Sequence, residues 1–229
     1  MELKGRLKLI CEKVPPSGTL CDIGTDHAYI PIYLVQKGIC SRAIATDIRE
    51  GPLKIARENI KNHNLENKIE TRLGYGLEPI SISEAETIVI AGMGGKLITE
   101  ILSSEFSKSA NAGTLILQPM NAIDLVREYL YTNGFDIYDE TLASEDNKIY
   151  TVINTRYTGV NQQFTDLDLI IGKKIIEKSD PLLGKYLEKK IRQVDVIIRE
   201  LKNAKDRKED LIRLENLKAS FLKILRKYS

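Results

Sequence analysis

The stretch Thr19-Leu20-Cys21-Asp22-Ile23-Gly24-Thr25-Asp26-His27-Ala28-Tyr29-Ile30-Pro31 constrains the chain more than any other. Val14-Pro15-Pro16-Ser17-Gly18 ahead of it reads as a loop by its turn residues. Thr19 to Ile23 is short, apolar and ended by glycine, as a buried strand is. From about Ala28, the apolar residues Ile32, Leu34 and Val35 suit a helix packed on a sheet. The sequence therefore predicts a strand-to-helix turn over Asp22-Ile23-Gly24-Thr25-Asp26-His27. In a doubly wound sheet such turns stand at the carboxyl ends of the strands, where ligands bind. Gly24 lets the backbone approach a ligand closely.

The turn is an incomplete glycine fingerprint. A dinucleotide site would read G-x-G-x-x-G, but Asp26 stands two places after Gly24 and position 29 is Tyr. A pyrophosphate wants bare amides at a helix N-terminus, and a carboxylate at Asp26 would repel it. A ligand without phosphates fits better, such as S-adenosylmethionine (SAM), an adenosine joined to a cationic amino acid. The turn alone does not name the ligand.

The rest of the chain repeats the alternation. Residues 2–13 predict an amphipathic helix with Leu3, Leu7 and Ile10 on one face. Residues 41–47 form a second strand ending on Asp47, an acid placed to accept hydrogen bonds from a ribose. A helix follows from Gly51-Pro52 to about Asn62. A third strand over 69–73 runs into Gly74-Tyr75-Gly76, a turn suited to an adenine edge. The fourth, over 86–91, is a near-continuous apolar run, as a buried parallel strand is. It opens into Gly92-Met93-Gly94-Gly95 and a helix to about Leu102. Two glycine turns at neighbouring strand ends make a cleft. A fifth strand over 114–119, a helix near 122–132, and strands over 135–142 and 148–154 complete a body of residues 1–155. A closing hairpin with an antiparallel last strand is typical of SAM-dependent methyltransferases and absent from nicotinamide folds.

Charge sets the tail apart. Residues 1–155 hold 16 Lys and Arg against 21 Asp and Glu, and residues 156–229 hold 18 against 11. An acidic body with a basic tail points to a polyanionic partner, or to Lys and Glu solvating a helix. Leu187, Ile191, Val194, Ile198 and Leu201 form a narrow 4-3-4-3 seam. Polar residues 202–210 interrupt it, and it resumes out of phase at Leu211, Leu214, Phe221, Leu225 and Tyr228, with Lys218 the polar seam position. An antiparallel helical hairpin explains the phase change. Cys11, Cys21 and Cys40 lack metal-ligand spacing, and His27 and His63 are the only histidines, so no metal is expected. The N-terminal residues carry no secretory pattern and no apolar run is long enough for a membrane span, so a cytoplasmic protein is expected.

Asp22-Ile-Gly-Thr-Asp26-His27-Ala-Tyr29-Ile-Pro31, Ala91-Gly-Met-Gly-Gly95, Leu117-Gln-Pro119 and Glu145-Asp-Asn-Lys-Ile-Tyr150, in this order, resemble the bacterial tRNA (adenine-22-N1)-methyltransferases. The resemblance is strong over about 2–155, and the tail resembles that family's coiled-coil domain in type. Tyr75 departs mildly from the pattern, standing where a polar residue is frequent. The resemblance implies an α/β, Rossmann-like SAM-dependent methyltransferase domain with a C-terminal antiparallel helical (coiled-coil) hairpin over 156–229. It implies SAM as methyl donor and N1 of an adenosine in the tRNA D-loop region as acceptor, with no homo-oligomer required. Asp22, Gly24, Asp47, Ile48, Gly74, Tyr75, Gly76, Ala91, Gly92 and Met93 are then expected at the cofactor. Arg6, Tyr29, Gly94, Gly95, Gln118, Pro119, Lys148, Lys189, Lys190, Arg192 and Arg199 are expected toward tRNA.

The chemistry narrows the catalytic set. Methyl transfer from SAM is an in-line displacement, so position and a matched field dominate. Adenine N1 attacks with a ring lone pair, and the product ring is cationic. A carboxylate beside the base could stabilise that charge or accept a hydrogen bond from the N6 amino group. Asp26 at the cleft mouth is the expected catalytic carboxylate, with His27 orienting it, touching substrate or fixing the turn. Tyr29 stands to stack on the base or to pack, packing being favoured. Exocyclic-amino methylases commonly carry Asp/Asn-Pro-Pro-aromatic after the fourth strand, where this chain has Ala91-Gly-Met-Gly-Gly95, so a ring nitrogen is the better acceptor. Two rivals stand beside this reading: a nicotinamide-dinucleotide oxidoreductase, and a non-catalytic RNA-binding module on a methyltransferase shell.

Overall fold

The computed structural model describes residues 1–202 and 207–227. These fall into two compact units, 1–163 and 164–229. In the first, the apolar runs become the strands β1 (Ser17–Ile23), β2 (Cys40–Asp47), β3 (Ile69–Leu73), β4 (Thr87–Met93), β5 (Thr114–Pro119), β6 (Phe135–Glu145) and β7 (Lys148–Tyr157). They pair in one sheet of order β3-β2-β1-β4-β5-β7-β6. The first five are parallel, and β7 runs antiparallel between β5 and β6.

Burial follows the period of two. Leu20, Val89, Ile116 and Val152 enter one core cluster with residues of α1 (Gly5–Glu12), α2 (Tyr29–Gln36) and α3 (Glu50–Asn62). Their neighbours Ile88, Ile90, Leu115 and Leu117 are buried but lie outside that cluster. These alternate positions serve the opposite face, where α4 (Gly95–Ser104), α5 (Phe106–Asn111) and α6 (Ile123–Thr132) pack. Under α6 lies one buried ion pair, Arg127 Nε to Glu140 Oε1 at 2.7 Å, with both side chains fully covered.

The closing hairpin is longer than its composition suggested. β6 continues through Ala143-Ser144-Glu145, which pair with Tyr150, Ile149 and Lys148 of β7 across a two-residue turn. Asp146 (φ 47°) and Asn147 (φ 60°) both take left-handed backbone, which a type I′ turn requires and which Asp and Asn tolerate. Residues 158–162 also stay with this unit through Gly159 N–H to Gly134 O and Gln162 N–H to Tyr131 O.

The second unit contains α7 (Asp166–Ile170), α8 (Lys173–Glu177), α9 (Leu183–Leu201) and α10 (Lys208–Leu225). The last two are antiparallel, since Lys202 pairs with Glu215 while Asp195 pairs with Lys218. Leu187, Val194 and Ile198 of α9 are buried, as are Leu217 and Phe221 of α10. Leu217 was not expected in the seam; Lys218 beside it is half-buried and satisfied by Asp195. The middle of the polar break, 203–206, and Tyr228 lie outside the described residues.

Candidate active site

Two glycine turns at adjacent strand ends build the cleft. Gly24 (φ +74°) follows β1 and Gly92 (φ +76°) lies near the end of β4, both in backbone that a side chain would strain. Between Ala91 and Met93 the register against β5 shifts, so Gly92 is bulged. Its N–H donates to Gln118 Oε1 at 3.1 Å. A Cβ on Gly24 would stand 2.1 Å from Met93 Cε, so the end of the methionine lies over the glycine. Gly24, Ala91 and Gly92 line both of two lobes.

One lobe, of about 440 Å³, is lined by Asp47, Ile48, Tyr75, Gly76, Leu97 and Ile101 among others. Asp47 is buried at the end of β2, and its Oδ1 accepts the Arg49 N–H at 2.8 Å. Its carbonyl accepts the Gly74 N–H at 3.1 Å, which fastens the Gly74-Tyr75-Gly76 turn beside it. The Tyr75 hydroxyl donates to Glu100 Oε1 at 3.1 Å; burial and this acceptor hold its pKa above the usual value. The lobe is an apolar slot with one buried carboxylate at its end.

The other lobe, of about 390 Å³, gathers Arg6, Asp22, Asp26, His27 and Tyr29. Burial pushes the Asp22 carboxyl up to about 6, with the Thr25 hydroxyl opposing. Asp26 is 71% exposed, and its Oδ2 lies 3.1 Å from His27 Nε2. His27 is held from behind by Asn59 Nδ2, which donates to its carbonyl at 3.0 Å. Ala28 (φ 56°) then turns the chain so that the Tyr29 ring stacks on His27, centroids 5.0 Å apart and planes 14° apart. Tyr29 thus packs on His27, and the residue stays 40% exposed.

Several residues expected to face substrate stand behind the wall. Gln118 and Pro119 are buried. Gln118 works from beneath, accepting from Arg6 Nη1 at 2.6 Å as well as from Gly92. A Cβ at Gly95 would lie 2.2 Å from the Ala122 carbonyl oxygen, so glycine there serves the approach of two turns. Gly94 caps α4, and Lys148 is exposed beside the hairpin turn and lines neither lobe. Lys189, Lys190, Arg192 and Arg199 belong to α9 of the second unit. Leu97 and Ile101 were missed, although their i, i+4 spacing on α4 is a readable signal. Glu145 and Tyr150, which flank Arg6, lie in a segment whose local sequence gives no sign of that contact. Among the described residues no group of three or more His, Cys, Asp or Glu could hold a metal ion.

Comparison with known proteins agrees with this geometry. A methyltransferase-domain family model matches residues 3–153. The tRNA (adenine(22)-N(1))-methyltransferase of Bacillus subtilis (strain 168) is 31% identical over 224 residues, 95% of this chain and 93% of its own. A putative tRNA (m1A22) methyltransferase of Streptococcus pneumoniae has a crystal structure that superposes with a TM-score of 0.88 at 31% identity, covering 98% of this chain and 100% of that one. Its complex with S-adenosyl-L-methionine superposes at 0.84 and 31% identity, covering 96% and 98%.

Proposed function

The chain belongs to the bacterial tRNA (adenine-22-N1)-methyltransferase family, and from that premise we propose that it methylates N1 of an adenosine in tRNA, with the nucleoside of SAM held along the Asp47 lobe, its amino-acid end reaching Asp22 in the other lobe, and the acceptor base beside it at Asp26. One observation supports the reading most directly: Gly24, Ala91 and Gly92 line both lobes, so the two lobes share one wall at the ends of β1 and β4. The residues present fit SAM, since a buried carboxylate at Asp22 favours a cationic group and an apolar slot ending on Asp47 suits a nucleoside. When bound, SAM supplies a methyl group on a sulfonium. Asp47 accepts from ribose hydroxyls, Asp22 faces the cationic amino acid, and the Tyr75 turn, Leu97 and Ile101 enclose the adenine. Asp26 sets negative charge beside the acceptor ring as it becomes cationic, and His27 orients Asp26. The parallel sheet with antiparallel β7 argues against a nicotinamide enzyme. The retained acids Asp22, Asp26 and Asp47 argue against an inactive shell.

The test is methyl transfer from labelled SAM to unmodified tRNA, followed by mapping of the product. A single N1-methyladenosine in the D-loop region is expected; label elsewhere, or none, overturns the reading. Asp47→Ala weakens SAM binding by about tenfold to a hundredfold, the worth of a hydrogen bond to a charged group, with the fold retained. Unchanged affinity in calorimetry removes Asp47 from the cofactor site.

Asp22 gives SAM binding a pH dependence. Its folded-state carboxyl titrates near 6, above the ordinary 3.8, so the apo protein keeps a proton there that an unfolded chain has lost. Stability from this group is therefore present below the ordinary value and falls as pH rises toward 6. A cation bound beside it favours the carboxylate, so SAM affinity rises with pH through that window, by about tenfold from pH 5 to 7.5. Asp22→Asn flattens the profile; a wild-type affinity independent of pH contradicts the assignment.

The hairpin is proposed to help hold tRNA. By helical period Lys189, Arg192 and Arg199 lie opposite the buried seam of α9. Lys190 instead falls beside that seam, its Nζ 5.4 Å from the centroid of the Tyr186 ring. Changing Lys189, Arg192 and Arg199 together to Gln weakens tRNA binding and flattens its salt dependence by about two to three in slope. The same slope as wild type makes these residues a solvated surface only. The proposal places the reaction in the cytoplasm with its tRNA. Among the described residues no helix is long and apolar enough to cross a membrane.

A further inference from the structure

Adenine N1 lies on the Watson–Crick edge, so a base that delivers it into this lobe has left its stack. Its own phosphates then come to the rim. Asp22 and Asp26 repel them. Among the residues lining this lobe, Arg6 is the only Lys or Arg.

Arg6 is fixed but not used up. Its Nη1 donates to Gln118 Oε1 at 2.6 Å. Its Nε is 3.8 Å from Glu145 Oε2, an electrostatic contact longer than a hydrogen bond, and the guanidinium lies 5.8 Å from the centroid of the Tyr150 ring. A Cβ on Gly92 would lie 3.5 Å from Nη1, so the guanidinium passes close over the bare glycine. Of arginine's five N–H donors, one is hydrogen-bonded within the protein among the described residues. The side chain is 21% exposed. A planar fork, anchored through one Nη with other donors spare, is the form in which arginine takes a phosphate. Arg6 is not the counter-ion of Asp22, whose carboxyl is raised by burial rather than held low by a guanidinium.

Gln118 aims the fork. It is fully buried, and its Nε2 donates to the Pro119 carbonyl at 2.9 Å, which fixes which end of the amide faces Arg6. The same Oε1 accepts from Gly92, so one atom sets both the guanidinium and the bulged glycine between the lobes.

Resting on the reading that this lobe takes an adenosine of tRNA, we infer that Arg6 binds a phosphate flanking the acceptor nucleotide and that Gln118 is the positioning residue that orients it.

The test uses the full chain and three tRNAs: one unmodified, and two carrying a single uncharged methylphosphonate linkage on the 5′ or the 3′ side of the acceptor adenosine. Arg6→Gln lowers kcat/KM on unmodified tRNA about tenfold to a hundredfold, chiefly through KM, with SAM affinity within about twofold of wild type. One methylphosphonate imposes a similar loss on wild type, and combining it with Arg6→Gln costs no more than either alone. Arg6→Lys recovers part of the loss. Gln118→Glu, which keeps the acceptor, leaves KM nearer wild type than Gln118→Met does. The inference is overturned if the losses multiply, if neither methylphosphonate affects wild type, or if folded Arg6→Gln methylates normally. The methylphosphonate arms on wild type decide the matter even where a variant does not fold. Wild-type protein that binds SAM yet methylates none of the tRNAs overturns the underlying function instead, and this inference with it.

Discussion

Asp26→Ala lowers the rate of tRNA methylation by about a hundredfold or more, while SAM affinity stays within about twofold. Asp26 is 71% exposed and, among the described residues, pairs with the neighbouring His27, so its loss opens no cavity and leaves no buried group unpaired. In water such a carboxylate interacts weakly with a cation, but entry of the base displaces water and strengthens the attraction. Charge develops on the adenine ring only as the methyl group arrives, so the loss falls on kcat rather than on binding. Asp26→Asn separates the two roles open to the residue. It keeps an oxygen able to accept from the N6 amino group but lacks the charge, so it stays close to alanine if charge is what matters. Single-turnover methylation with saturating SAM checks this. Near-normal turnover by the alanine variant ends the catalytic role, and lost SAM binding moves Asp26 to the cofactor side.

Glu140→Ala destabilises the first unit by about 3–5 kcal/mol, because the Arg127 guanidinium is left buried without its carboxylate. For a chain of this size that is a fall of roughly 10 °C in Tm. Replacing both partners, Arg127→Met with Glu140→Leu, restores most of the stability, since neither charge then has to be desolvated. Thermal unfolding of the single and double variants checks this; a single variant within about 1 kcal/mol of wild type would mean that water reaches the pair.

The limits of the sequence are those of local patterns. Asp22, Gly24, Asp47 and Gly92 were legible because strand ends and glycine turns carry local chemistry, and the antiparallel β7 followed from order along the chain. The β6–β7 turn was not, because Ala143-Ser144-Glu145 looks like loop until Asp146 and Asn147 are seen to take left-handed backbone. Nothing in the local sequence around Arg127 or Glu140 signals burial, and only their meeting between α6 and β6 makes them core. Gln118 was expected toward tRNA through the Leu117-Gln-Pro119 block of the family resemblance, and a motif does not carry the burial of its side chains. Leu217 was lost in the shift of phase between the two tail helices, where a step of one residue changes which side is covered.

Arg6 and Lys13, at the two ends of α1, are both held by the last hairpin of the first unit. Arg6 meets Glu145, Lys13 Nζ pairs with Asp139 at 2.7 Å, and Asn154 Nδ2 donates to the Lys13 carbonyl at 2.9 Å. These links span as many as 141 positions along the chain. The Asp47 lobe, by contrast, draws its lining from residues 23–101. During synthesis, the segments of the Asp47 lobe therefore all emerge while the first helix still lacks its anchor. The Asp26 lobe is finished only when β6 and β7 reach back across the whole unit. Contacts of such long separation form late, so a nascent chain has the parts of the Asp47 lobe well before the Asp26 lobe can be completed.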